Sequence, residues 1–351
     1  MVSVEEFEGV NYPAILIIAV MLTVFVTWVL TGAVRRYAVR RVMLDVPNAR
    51  SSHSVPTARG GGLAIAAVFI AWGLLLVFLR LLSANVAIGL LGGGVLIALI
   101  GYIDDHAALP AKIRFLVHLA AAVLMIVFVG GVPSHSLFML GMHGQLAGGI
   151  VGIILLTWST NLFNFMDGID GIAASEAVFV SIAGAVLYWL HNGNSGLTLL
   201  MLILAAATSG FLIWNWPPAR IFMGDVGSGF LGFSLGGLGL AASQQGAMSM
   251  EVWAILGGVF LTDATLTLIR RVVRGDRWFE AHRMHGYQHL ARRWKSHRPV
   301  TIGVTIVNLF WLLPWAYMAS RFPDRAVWCL AGALIPLSAA LLSIGAGKSE
   351  S

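Results

Sequence analysis

Four short polar clusters carry the chemistry that can be read from the sequence. In Asn161-Leu-Phe-Asn164-Phe-Met-Asp167-Gly-Ile-Asp170-Gly171 an oxygen-bearing side chain recurs every third residue. That spacing stacks side chains in a 3₁₀ turn and drifts them around an α-helix, and Gly168 and Gly171 suggest a break. A capped loop is the plain alternative, because Asn, Asp and Gly are the usual turn formers. Hard oxygen donors at a membrane edge nevertheless suit Mg²⁺ and phosphate better than a simple turn. In Gly101-Tyr-Ile-Asp104-Asp105-His106 two acids are adjacent. Neighbours on a helix point about 100° apart, so one acid can face an internal cleft while the other meets a metal or a basic group. Lys112 and Arg114 follow and suit phosphate or anionic headgroups.

The third cluster runs from Asn215 through Arg220, Phe222, Gly224 and Asp225 to Gly229. Pro217 and Pro218 stop a helix, and the glycines let backbone approach a ligand and open the next helix with free N–H groups. An acid beside such a phosphate-friendly helix start calls for a cation between them. The fourth, Arg270 to Arg293, contains His282-Arg283-Met-His285, two imidazoles sharing one helical face. A basic stretch lying on anionic lipid is its plain reading, and contacts to pyrophosphate or sugar fit the histidines better than zinc does. Two further acids, Glu176 and Asp263, fall inside apolar runs, and Asp263 is expected either to serve the site or to pair with Arg270 or Arg271. His118, His135, His143 and His191 read as structural or solvated.

The elements that must position these clusters are membrane helices. Of 351 residues, 58% are hydrophobic and 11% charged, which excludes a soluble surface. A span takes roughly 20 apolar residues, and eleven apolar runs fit, near 12–33, 61–82, 86–103, 113–132, 146–163, 172–191, 196–214, 226–244, 250–269, 300–320 and 325–346. The fold class is therefore all-α, one polytopic integral membrane domain over 1–351 with about eleven transmembrane helices. The positive-inside rule places the amino terminus outside and the carboxyl terminus in the cytosol, since 19 of 22 Lys and Arg then lie inside. Topology accounts for the net charge of +6, and no nucleic-acid partner is needed. In this arrangement all four clusters reach the cytosolic boundary, in loops near 104–114, 161–171, 215–228 and 270–298, and a fifth loop near 34–60 lies on the same side. One cysteine, Cys329, excludes a disulfide framework within the chain.

Five motifs in order resemble a known family. They are Arg50-x-x-His53-x-x-Pro56-Thr-x-Arg59-Gly-Gly, Gly-Tyr-Ile-Asp104-Asp105, Asn161-x-x-Asn164-x-x-Asp167-Gly-x-Asp170-Gly, Phe222-Met-Gly-Asp225-x-Gly-Ser and His282-Arg-x-His285-x-Tyr-Gln. The family is the bacterial polyprenyl-phosphate N-acetylhexosamine-1-phosphate transferases of glycosyltransferase family 4, which includes the enterobacterial-antigen and O-antigen initiating enzymes and the peptidoglycan translocase. The resemblance implies transfer of a sugar 1-phosphate from a UDP-N-acetylhexosamine to undecaprenyl phosphate, with release of UMP, at the cytosolic face of the bacterial inner membrane. Mg²⁺ is the implied cofactor, with Mn²⁺ as a substitute. Membrane lipids are further partners, and a homodimer is compatible with the family although no sequence feature calls for one.

Carried over motif by motif, the resemblance makes Asp225 a metal ligand and Asn164 a second one. Asp104 becomes the base acting on the lipid phosphate, Asp105 orients that phosphate or assists the metal, and Lys112 holds the acceptor. Asp167, Asp170, Asn215 and Phe222 fall on the substrate side, toward the nucleotide, while His282, Arg283 and His285 reach pyrophosphate or sugar. The translocase carries a run of adjacent histidines where this chain has His282-Arg-Met-His285. That departure favours the initiators using N-acetylglucosamine or a 6-deoxy amino sugar such as N-acetylfucosamine or N-acetylquinovosamine. A transporter of an anionic or lipid-linked substrate is the rival reading. It expects polar breaks at the bilayer midplane and internal repeats, neither of which is visible here.

Overall fold

A computed structural model of the protein describes residues 12–47, 55–139, 141–192, 195–276 and 282–348. Arg50 and His53, and Arg277 within the basic stretch from Arg270 to Arg293, lie outside the described residues. Each apolar run becomes helix, in order α1 Tyr12–Arg40, α2 Gly62–Phe78, α3 Ala84–His106, α4 Ala111–Val129, α5 Gln145–Met166, α6 Ile172–Asn192, α7 Gly196–Asn215 and α8 Asp225–Gln244. The series continues with α9 Met250–Leu256, α10 Gly258–Val273, the short α11 Gly286–Trp294, α12 Arg298–Arg321 and α13 Pro323–Ile344.

Nine of these helices, among the described residues, are long and apolar enough to cross a membrane, and the protein is an all-α polytopic membrane protein. Two of the eleven runs depart from a simple span. The second gives only the 17 residues of α2, because the chain turns at Arg80, whose φ is +59°. The ninth is split into α9 and α10, which meet at 84°. The Gly257-Gly258 pair sits at the break, where a helix lacking side chains on consecutive residues bends most easily.

Burial sorts the helices into a centre and a rim. Along α8 94% of the apolar stretch is buried, against 17% for α1 and α13. Outer helices therefore present apolar side chains such as Ile18, Phe25 and Trp328 outward, as contact with lipid requires. The central helix can be enclosed by α2, α3 and α5 because small residues let backbones approach closely. Its first residue is Asp225, so the most enclosed helix of the bundle carries an acid at its end.

Two tiny strands tie the loops at that end. Leu44–Asp45 (β1) pairs antiparallel with Thr57–Ala58 (β2), and Ala58 bridges in parallel to Ile221. Phe222 N donates to the Ala58 carbonyl at 2.8 Å and Gly61 N to the Phe222 carbonyl at 2.9 Å. The loop before α2 and the loop before α8 thus form one small platform.

Candidate active site

The platform, the end of α3 and the start of α4 bring three carboxylates and two guanidiniums together. Arg59 lies on Asp105 at 2.7 Å and on Asp225 at 3.0 Å. Arg114 lies on Asp104 at 2.8 Å and on Asp225 at 2.7 Å. Burial disfavours the Arg59 charge, but Asp105 and Asp225 outweigh it and raise the Arg59 pKa above its ordinary value. Asp225 is the point where both arginines meet, with an 18% exposed side chain that a ligand can reach.

The two adjacent acids have different surroundings. Asp105 has a side chain only 1% exposed and accepts from the backbone N–H of Asp225 at 2.9 Å and of Val226 at 3.2 Å. It caps the start of α8, where an anion is favoured by the free N–H groups and the helix dipole. Sequence reading left those N–H groups open for phosphate; in the structure Asp105 takes two of them. Asp104 accepts from Leu109 N at 2.7 Å and keeps its second oxygen on Arg114.

Gly224 makes this cap possible. Its φ is +78° with ψ at 170°, a region open essentially to glycine, and a Cβ there would run into the Asp105 carboxylate. A Gly224→Ala variant is expected to lose about 1–3 kcal/mol of stability to backbone strain alone, and to lose activity as well because the first turn of α8 is pushed off Asp105. Thermal melting and turnover measured on the same preparation test this; an unchanged melting temperature would contradict the cap.

Around the opening, Asn164 donates to Ser228 Oγ at 3.1 Å, beside Asp225. Asp167 lies between α5 and α6, where burial and then the Asp225 carboxylate hold its pKa well above the usual range. Asp170 and Asn215 are engaged with backbone. Asp170 accepts from Ala219 N at 3.0 Å and lies 3.3 Å from His297. Asn215 accepts from Gly171 N and donates to the Ile221 carbonyl, both at 3.0 Å. These two residues lock the 161–171 loop to the 215–224 loop. Phe222, half-buried, contributes its backbone to the platform.

The histidine segment reaches the site through an unexpected residue. Tyr287 donates its hydroxyl to the Phe165 carbonyl at 3.0 Å and closes on Gly168. His285 is buried between His282 and Tyr287, 3.5 Å from Asp263. Burial, then the neighbouring His285, lowers the His282 pKa to about 3. Asp263 accepts from Gly286 N at 2.8 Å and Tyr287 N at 3.0 Å, capping α11. That is its place in the fold, while Arg270 bonds the Ala346 carbonyl at 2.6 Å.

A cavity of about 400 Å³ opens beside this centre, walled by the ends of α3 and α5 and the starts of α4 and α8. Lys112, Arg114, Asn161, Asn164 and Asp225 line its polar part, and Ile100, Phe115 and Phe165 the apolar part. His118 also lines it, although the sequence offered no clustered partner for that residue. Its signal was the four-residue step from Arg114, which puts both on one face of α4. Arg59 was visible in a motif but had no role there until Asp105 and Asp225 were brought to it.

Among the described residues no three acids or imidazoles already converge as a ligand set. The donors lining the cavity, the Asp225 carboxylate and the Asn164 amide, offer hard oxygens, and that chemistry fits Mg²⁺.

Acids, amides and guanidiniums gathered at the end of a membrane bundle, beside a cavity polar at one side and apolar at the other, define a polytopic membrane protein suited to phosphate groups at the lipid boundary. Comparison with known proteins gives the particular lineage. Residues 87–243 match glycosyl transferase family 4. The chain is 30% identical over 335 residues to a Mycobacterium tuberculosis decaprenyl-phosphate N-acetylglucosaminephosphotransferase, covering 85% of this chain and 81% of that protein. It is 29% identical over 298 residues to the Bacillus subtilis "Probable undecaprenyl-phosphate N-acetylglucosaminyl 1-phosphate transferase", covering 84% and 82%. A Moorella thermoacetica phospho-N-acetylmuramoyl-pentapeptide-transferase is 32% identical over 234 residues, 62% of this chain and 69% of that one. The chain belongs to glycosyl transferase family 4.

Proposed function

We propose that the protein transfers an N-acetylhexosamine 1-phosphate from a UDP-sugar to undecaprenyl phosphate and releases UMP, at the cytosolic face of a bacterial inner membrane. The donor is UDP-N-acetylglucosamine or a UDP-linked 6-deoxy amino sugar, and the product starts an O-antigen or a related surface polysaccharide. One observation carries this reading. Arg114 joins Asp104 to Asp225 at the wall of a cavity with a charged side and an apolar side, which is the shape of a lipid phosphate. The names of the mycobacterial and Bacillus relatives support the acceptor class and favour N-acetylglucosamine.

The physical difficulty is bringing two anions together. Asp225 and Asn164 would hold Mg²⁺, which supplies Lewis-acid stabilisation of the charge developing on the departing nucleotide. Lys112, exposed at the cavity wall, and Arg114 attract the acceptor phosphate. Asp104, once Arg114 turns toward phosphate, accepts a proton from the acceptor. The acceptor oxygen then attacks the sugar-linked phosphorus in line with the leaving oxygen. Asp105 keeps Asp225 in place, and Asp170 with Asn215 holds the loops around the nucleotide.

Purified protein given undecaprenyl phosphate and a panel of UDP-N-acetylhexosamines is expected to release UMP only when Mg²⁺ or Mn²⁺ is present, with the sugar recovered in the lipid extract. Silence across the panel, with a control transferase active in the same detergent, would overturn the reading.

A further inference from the structure

Asp225 divides its two oxygens between two arginines. Oδ2 takes Arg114 at 2.7 Å and Oδ1 takes Arg59 at 3.0 Å. Only one of these arginines belongs to the apolar cavity. Lys112, Arg114 and Asp225 stand in its described wall with Phe115 and Phe165, and Arg59 does not. Arg59 comes instead from the platform, directly after β2, whose Ala58 is bonded to Phe222 in the loop before α8.

Arg59 is also the arginine that cannot turn away. Its Nε rests on Asp105 at 2.7 Å, and Asp105 is only 1% exposed and bonded to the N–H groups of Asp225 and Val226. A charge-assisted pair with a carboxylate held in this way fixes the guanidinium in place. Nε and Nη2 are taken, Nη1 has no partner among the described residues, and 34% of the side chain is exposed. One edge of a fixed cation is thus open, and a guanidinium edge matches the oxygens of a phosphate.

Two anions must meet at this centre, and they differ physically: one carries a long apolar tail and the other is water-soluble. The tailed phosphate needs the apolar wall, so it enters by the cavity beside Lys112 and Arg114. In-line displacement puts the entering and leaving oxygens on opposite sides of the phosphorus. The leaving phosphate therefore falls on the other side of Asp225, where Arg59 stands.

We propose that Arg59 is a catalytic residue of the transfer, its open Nη1 edge holding the diphosphate of the UDP-sugar at the phosphate that departs as UMP. The inference rests on the transferase reading for the identity of that ligand. As the acceptor oxygen bonds to the sugar-linked phosphorus, UMP leaves with the electron pair of the broken P–O bond. A guanidinium already fixed beside it stabilises that charge without reorganising.

The test compares wild-type protein with Arg59→Gln and Arg59→Lys in lipid nanodiscs. Kd is measured for UDP and inorganic pyrophosphate at saturating Mg²⁺, for undecaprenyl phosphate, and for Mg²⁺ alone, beside steady-state kinetics with UDP-N-acetylglucosamine. Losing hydrogen bonds to a charged group makes the expected change in Arg59→Gln about a ten- to hundredfold rise in Kd for UDP and pyrophosphate. The turnover number should fall, and Kd for undecaprenyl phosphate should stay as it was. Mg²⁺ should bind no more weakly, because a cation has been taken away from its carboxylate. A residue that only braced Asp225 would instead weaken Mg²⁺ together with UDP. Arg59→Lys keeps the charge facing Asp105, and with it the fold, and is expected to lose UDP and pyrophosphate affinity by a smaller factor. Unchanged UDP and pyrophosphate binding in both variants, an equal loss of undecaprenyl phosphate binding, or weakened Mg²⁺ binding would each overturn the proposal, as would a wild type that binds neither UDP nor pyrophosphate. Pyrophosphate binding that depends on Arg59, without turnover of any UDP-sugar by wild type, would sink the transferase reading and leave the Arg59 contact standing.

Discussion

An Asp225→Ala variant is expected to lose transfer by at least about a hundredfold, the usual size of removing one preorganised electrostatic stabiliser, while remaining folded and extractable. Three roles meet on this carboxylate. It is the first residue of the enclosed helix α8, the shared partner of Arg59 and Arg114, and the proposed principal ligand of Mg²⁺. Folding should survive because the helix start is held by Asp105 through backbone N–H groups that alanine retains. Calorimetric titration with Mg²⁺ gives the readout independent of turnover, and the variant should show no binding. Near-normal turnover would remove the site assignment altogether.

Asp104→Asn is expected to behave differently. A general base contributes typically 10²–10⁴ to rate, so the turnover number should fall by about that much while UDP-sugar binding changes little. Asparagine keeps an oxygen for Leu109 N, so the turn after α3 is preserved, but the negative charge facing Arg114 is gone. Direct UDP binding distinguishes the cases. If affinity for UDP falls in step with the rate, Asp104 serves the nucleotide or the metal and the base must be sought elsewhere.

Much of the architecture was legible because bilayer thickness imposes a coarse period that composition alone reveals. All eleven runs became helices, and the four clusters that sorted to one face do meet at one end. The 84° break at Gly257 and the shortness of α2 escaped, since both depend on local backbone geometry inside runs that remain apolar throughout. Within the site, residue types pointed to loops that do come together, but not to how each side chain is bonded there. Asp104 and Asp105 are neighbours of the same chemistry, and only the position of α8 makes one a helix cap and leaves the other on a mobile-length arginine. Asn215, Asp170 and Asp263 looked like ligand contacts or ion-pair partners; each is bonded to backbone N–H groups from loops far away in sequence. Such long-range pairings have no periodic signature. His118, read as structural or solvated, is buried and stands in the cavity wall, where its neighbours arrive from three other helices.

The pairing of Arg59 and Arg114 with the acids of α3 has a meaning for how the chain is made. Both arginines and both of those acids are synthesised before α5, whereas Asp225 emerges more than a hundred residues after Asp105. Asp104 and Asp105 therefore have their cations, Arg114 and Arg59, in the chain before Asp225 is made, and partners of this kind would spare the growing chain uncompensated charge at the membrane boundary. Helix α8 arrives later, between elements laid down on either side of it, and its first two N–H groups find Asp105 waiting. The centre would be complete only at that late stage of biogenesis, and a product ending before α8 would lack Asp225, the carboxylate on which both arginines meet.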